Sequence, residues 1–282
     1  MKKLVQIGIG LWLAMGFFAC TKDHLPKTHR SITPSDIYTH IAYLASDELH
    51  GRAAGSEDEL KAAHYIRSFF KKYQLKPAGK DGTYLYPFDI IAGVKLGTGN
   101  TLNLHTAANS STYQVEKDFL PLAFSDNGTF EGEVVFAGYG INAPDLNYND
   151  YHRLDVKDKI VLVLRFTPEG DNPHSKFYSF AALRRKALAA REKGARAILF
   201  VTGPKNADEN ELVKLRYDNS VARSGIGAAS ISREVANRLL QASGKDLTEL
   251  QNTIDDTKKP HSFNLPGVRV RLAVDVQEIH KT

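Results

Sequence analysis

The residues of this 282-residue chain that could do chemistry are few and scattered. Ten histidines run from His24 to His280, and none has a His-x-Asp or HExxH spacing, so no short segment offers two ligands to one metal ion. The nearest grouping is Asp150, His152 and Asp155, in a polar stretch between two apolar runs, a setting that predicts a solvated turn rather than a metal site. Glu48 and His50 flank Gly51 and Arg52. Gly51 permits a tight turn and Arg52 is placed to tie a carboxylate, so Gly51 and Arg52 mark a turn that could lie beside a site. His64 stands at the edge of an apolar stripe, as a packed or surface residue. Nucleophilic chemistry is no better served: Cys20 is the only cysteine, and no Gly-x-Ser-x-Gly elbow occurs. Gly138, Tyr139 and Gly140 follow an apolar run, but no helix or phosphate-binding lysine comes next, so they read as turn glycines. No catalytic and no metal-ligating residue is assigned.

The elements that would position these residues are legible in part. Thr33 caps a helix that starts at Pro34 and carries Ile37, Ile41 and Leu44 on one face. Ser56 and Glu59 have the spacing of a capping box. The helix they open aligns Leu60, Ala63, Ile66, Phe69, Phe70 and Tyr73 in a stripe that should pack on a sheet, with Lys71 and Lys72 in its last turn. Strands are predicted over Thr83 to Ile91, Thr101 to Leu104, Glu133 to Ala137, Lys159 to Leu164 and Ala197 to Val201. Helices are predicted from about Phe177 to Lys193, stopped by Gly194, and from Ser232 to Ala242, closed by Gly244. Arg184, Arg185, Arg191 and Lys193 make the first of these a basic, solvated face. Near the end, Val268, Val270, Leu272, Val274 and Val276 alternate with polar residues, so one face of that strand is to be covered.

Two lysines, an apolar run from Leu4 to Phe18 and Ala19 directly before Cys20 form an export signal of lipoprotein type, with Cys20 as the lipidation site. Export to the cell envelope and anchoring to a membrane through the lipid follow. Thr21 to Ile32 then reads as a tether. The formal charge of +5 is spread among 32 acidic residues, a pattern that excludes nucleic acid as the expected partner.

The run Leu44, Ala45, Ser46, Asp47, Glu48, Leu49, His50, Gly51, Arg52, Ala53, Ala54, Gly55, Ser56 resembles a signature of the co-catalytic di-zinc aminopeptidases, peptidase family M twenty-eight. The stretch from Gly132 to His261 is similar to the protease-associated (PA) domain inserted in those enzymes. It matches through Gly138, Tyr139 and Gly140, the run Lys159 to Leu164, and Lys186, Ala187, Ala190, Gly194, Ala195 and Ala197. The resemblance implies an α/β fold: a partial amino-terminal piece of an aminopeptidase-like domain, then a mostly β PA domain with flanking helices. It divides the chain into a signal peptide (1–20), a tether (21–32), the peptidase-like segment (33–131), the PA domain (132–265) and a strand (266–282) returning toward a catalytic domain. The family's zinc is held by motifs that this sequence does not contain. The chain is therefore expected to hold no cofactor and to be inactive alone, binding a peptide or protein, or else to be a truncated or split part of an enzyme with a separately encoded catalytic half. Either reading predicts exposed apolar surface in the amino-terminal part.

Overall fold

A computed structural model of the chain describes residues 32–107, 109–206, 210–217 and 223–282. The export segment and Cys20 lie outside the described residues. Helix α1 spans Pro34–Leu44 and α2 Glu57–Lys72. The strands are β1 (Ile90–Leu96), β2 (Thr101–His105), β3 (Ser110–Tyr113), β4 (Phe119–Pro121), β5 (Gly128–Ala137), β6 (Asn142–Ala143), β7 (Tyr148–Asn149), β8 (Ile160–Leu164), β9 (Ala197–Val201), β10 (Gly227–Ile231), β11 (Ser262–Val274) and β12 (Val276–Lys281). Helices α3 (Leu183–Glu192), α4 (Arg233–Gln241) and α5 (Leu247–Thr257) complete the order.

Eight strands form one sheet in the order β3-β2-β11-β5-β8-β9-β10-β4. The middle run β5-β8-β9-β10 is parallel, and antiparallel neighbours flank it. Strands β8, β9 and β10 are buried at every position, as a parallel sheet covered on both faces requires. Side-chain alternation builds two cores. Val135, Val161, Val163, Ile198 and Phe200 meet Ala187 and Ala190 of α3 on one face. Phe136, Leu162, Leu199 and Ala229 meet Leu239, Leu240, Leu250 and Ile254 of α4 and α5 on the other. The chain is thus α/β, with a mostly β body flanked by helices.

Strand β11 runs between β2 and β5, and its alternating valines are buried as expected. A register shift falls between Leu265 and Arg269, where Gly267 takes φ +76°. The sheet draws strands from both sides of residue 132: β2 and β3 join the strands that follow. Past β11 the chain continues as β12, which pairs with β1 in a separate two-stranded sheet.

The amino-terminal helices form as their caps predict. Thr33 and Asp36 bond reciprocally, and Ser56 accepts from the Glu59 N–H. Their packing differs from the expectation: α2 does not lie on a sheet but on α1. Tyr65 stacks on Tyr43 at 4.2 Å and Phe69 meets His40 edge-on at 4.5 Å. The predicted strand at Thr83 starts only at Ile90, because residues 80–89 are held by a short helical turn and local hydrogen bonds of Thr83 instead. The helix predicted from Phe177 is broken into a turn at Tyr178–Phe180 and α3.

Candidate interaction surface

The carboxyl ends of the parallel strands are where open α/β sheets usually admit ligands. Here they are filled by a buried polar network. Gly138 and Gly140 adopt φ +47° and +67°, bending the chain after β5 as turn glycines should. Asp150 secures that bend: the N–H groups of Tyr139 (3.1 Å) and Ile141 (2.9 Å) and the Tyr148 hydroxyl (3.0 Å) all donate to its carboxylate. Asp150 is fully buried, which corrects the reading of its loop as solvated; His152 and Asp155 remain exposed. Burial pushes the Asp150 carboxyl up to about 7 against the pull of these donors.

Lys186 of α3 is buried beside the same bend, with its ammonium 5.4 Å from the Tyr139 ring centre. It donates to the carbonyls of Leu164 (3.1 Å) and Phe166 (2.5 Å), and burial pushes it down to about 7. Across the ring, the Tyr139 hydroxyl donates to Asp255 and accepts from Gln251, which in turn donates to Asn206. The open space left at this edge, lined by Gly140, Phe180, Lys186 and their neighbours, is about 20 Å³, room for one water. The network is a structural anchor. Sequence reasoning missed it because nothing local marks Asp150, Lys186 or Gln251 as interior.

The turn at Gly51 and Arg52 exists, with His50, Gly51 and Arg52 all at positive φ. Arg52 is exposed and makes no ion pair among the described residues, so it does not tie a carboxylate. Asp58 is instead bonded by His50 (3.2 Å) and Lys61 (2.7 Å). His64 is on the surface. Among the described residues no three His, Cys, Asp or Glu side chains are placed to hold a metal ion. The basic face of α3 is not simply solvated. Arg185 lies 4.0 Å over Phe180, Arg184 5.1 Å over Phe124 and Lys193 5.4 Å over Tyr151, while Arg191 donates to the Ser224 carbonyl.

What stands open is apolar. Of the fourteen large hydrophobic side chains exposed among the described residues, eleven lie between residues 32 and 88, leaving Val115, Tyr178 and Ile279 elsewhere. The exposed apolar surface predicted for the amino-terminal part is therefore present. At the amino end of α2 it forms a groove of about 550 Å³ between Leu60 and Ala63 on one side and Tyr86, Phe88 and Ile90 on the other. Gly55 lines it as well: a Cβ there would come within 2.7 Å of the Lys281 side chain, whose ammonium donates to the Gly55 carbonyl. Thr282 binds Asp89 at the same end, so the groove joins α2 to the β1-β12 pair. No helix among the described residues is long and apolar enough to cross a membrane.

Comparison with known proteins finds no match among curated proteins. Among solved structures, the chain is similar to an aminopeptidase from an Aneurinibacillus species (19% identity, TM-score 0.41), covering 88% of this chain and 46% of that one. It is also similar to a zinc aminopeptidase from Bacillus subtilis (16%, TM-score 0.36), covering 86% and 44%, and to a peptidase precursor from Shewanella amazonensis (16%, TM-score 0.35), covering 86% and 50%. The chain spans about half the length of each, and likeness at this level carries no argument about chemistry. The family comparison is firmer: residues 130–239, from β5 into α4 of this α/β chain, match the PA domain family.

Proposed function

We propose that this chain is an exported, lipid-anchored PA-domain protein of aminopeptidase-like organisation. Without peptidase activity of its own, it binds a peptide or protein partner through the groove at the amino end of α2. The observation that carries the reading is the groove itself. Leu60 is 53% and Phe88 64% exposed on a protein whose parallel strands β8, β9 and β10 are buried at every position. Apolar surface of this extent, set against closed packing elsewhere, is the ordinary mark of a binding surface. The test is a fluorescence titration of the purified chain with apolar peptides. Saturable binding that Leu60→Glu and Phe88→Ser weaken together supports the reading, whereas binding indifferent to both sinks it.

One observation favours a second reading. Exposed apolar residues extend beyond the groove to Ile37, Tyr38 and Ile41 of α1, more surface than a short peptide would cover. On that reading the occupant is the separately made catalytic body of a di-zinc aminopeptidase. A stable complex between this chain and such a body, lost in Ile41→Glu, would distinguish it from peptide capture.

A further inference from the structure

We propose that the carboxyl end of α2 and the turn after it form a docking tip for an anionic lipid bilayer. From Leu60 through Lys80 the sequence carries six cations (Lys61, Arg67, Lys71, Lys72, Lys76 and Lys80) and no Asp or Glu, in a chain that over its whole length mixes 37 basic with 32 acidic residues. Lys61 is engaged by Asp58. Lys71, Lys72, Lys76 and Lys80 are exposed, and none takes part in an ion pair among the described residues. The negative end of the helix dipole accounts for Lys71 and Lys72. It does not account for Lys76 and Lys80, which lie beyond the helix, nor for the apolar side chains set among them: Tyr73 is 57% and Leu75 49% exposed.

The tip is built rather than loose. The Leu75 N–H donates to the Phe70 carbonyl (3.1 Å) and the Gln74 N–H to the Lys71 carbonyl (3.0 Å), with Gln74 at φ +57°, a Schellman closure made without glycine. The Tyr84 hydroxyl donates to the Leu75 carbonyl at 2.7 Å, and its ring lies against Phe70. Tyr73 and Leu75 are thus exposed at a fixed end, between Lys71, Lys72 and Lys76 along the chain, so that ammonium groups can meet lipid phosphates while the two side chains enter the interface. Ten residues of helix, about 15 Å, separate Tyr73 from the groove at Ala63, so both can be occupied at once. A soluble polyanion would use the lysines but have no need of Tyr73 and Leu75, so the bilayer is the partner these residues fit.

The test is co-sedimentation of the full chain with vesicles of phosphatidylcholine, with and without about one third phosphatidylglycerol. The phosphatidylglycerol is expected to raise partitioning at least about tenfold at low salt, each lysine contributing about fivefold at most. About 0.5 M salt should abolish the gain. The variant K71A/K72A/K76A/K80A should lose the gain but keep whatever binding to neutral vesicles the rest of the chain supplies, and Y73S/L75S should weaken binding to charged vesicles. A gain undiminished in the lysine variant overturns the proposal. Equal competition by soluble polyphosphate, with Y73S/L75S unaffected, overturns it in favour of a polyanion site.

Discussion

The Tyr139 hydroxyl donates a 2.6 Å hydrogen bond to Asp255 and thereby fastens the bend after β5 to α5, 116 residues further along the chain. The same oxygen accepts from Gln251, so the phenol is satisfied on both sides. Tyr139→Phe removes both contacts while keeping the ring under Lys186. The loss should be about 1–2 kcal/mol, seen as a lower urea midpoint with an unchanged slope.

Asp150 carries more. Its carboxylate serves two backbone N–H groups and one hydroxyl in the interior. Asp150→Ala strands all three, and about 3 kcal/mol or more should be lost. Asp150→Asn keeps the shape and one acceptor oxygen, so chemical denaturation should place it between Ala and wild type. Gly138→Ala should fall in the same class as Asp150→Ala, since its Cβ would lie 2.3 Å from an Asp150 oxygen at a φ of +47°.

Lys186 makes stability depend on pH in a definite direction. Burial holds it at about 7 in the folded chain, against an ordinary 10.5, with the Asp150 charge opposing the shift and Arg165 adding to it. Between about 7 and 10.5 the unfolded chain therefore binds the extra proton, and stability rises with pH across that window. Lys186→Met should flatten the rise in unfolding free energies measured from pH 7 to 10. The same slope in both proteins would show that Lys186 is not the group responsible.

How much of this was readable beforehand depended on whether the determining contacts were local. Thr33 and Ser56 cap helices through bonds spanning three residues, and both are legible, while Ser232, read as the start of its helix, caps it in the same way. The alternation of Val268 to Val276 was likewise legible, because one strand carries the whole pattern. Helix α5 is weakly marked in sequence although Asp246 caps it, because its apolar residues are only Leu247, Leu250 and Ile254 among polar ones. The stripe on α2 was read correctly as apolar and wrongly as covered by a sheet: periodicity fixes which face is apolar, not what meets it. Asp150 sat in a polar loop whose burial is imposed by Tyr148 and Tyr151, and no window of sequence shows that.

The groove residues should separate binding from stability. Leu60 and Phe88 are exposed, so Leu60→Glu or Phe88→Ser should shift unfolding by no more than about 0.5 kcal/mol. In solution both should reduce the fluorescence of an apolar dye bound to the native chain. A large loss of stability instead would mean that these side chains are packed, and the groove closed.

The most direct measurement is equilibrium dialysis of the purified full chain against an apolar peptide in the presence of zinc, with the peptide analysed by mass spectrometry at the end. The expected result is saturable binding that Leu60→Glu weakens, with every peptide recovered intact. Progressive loss of amino-terminal residues from the peptide, in proportion to the chain added, would contradict the account and make this chain an enzyme in its own right.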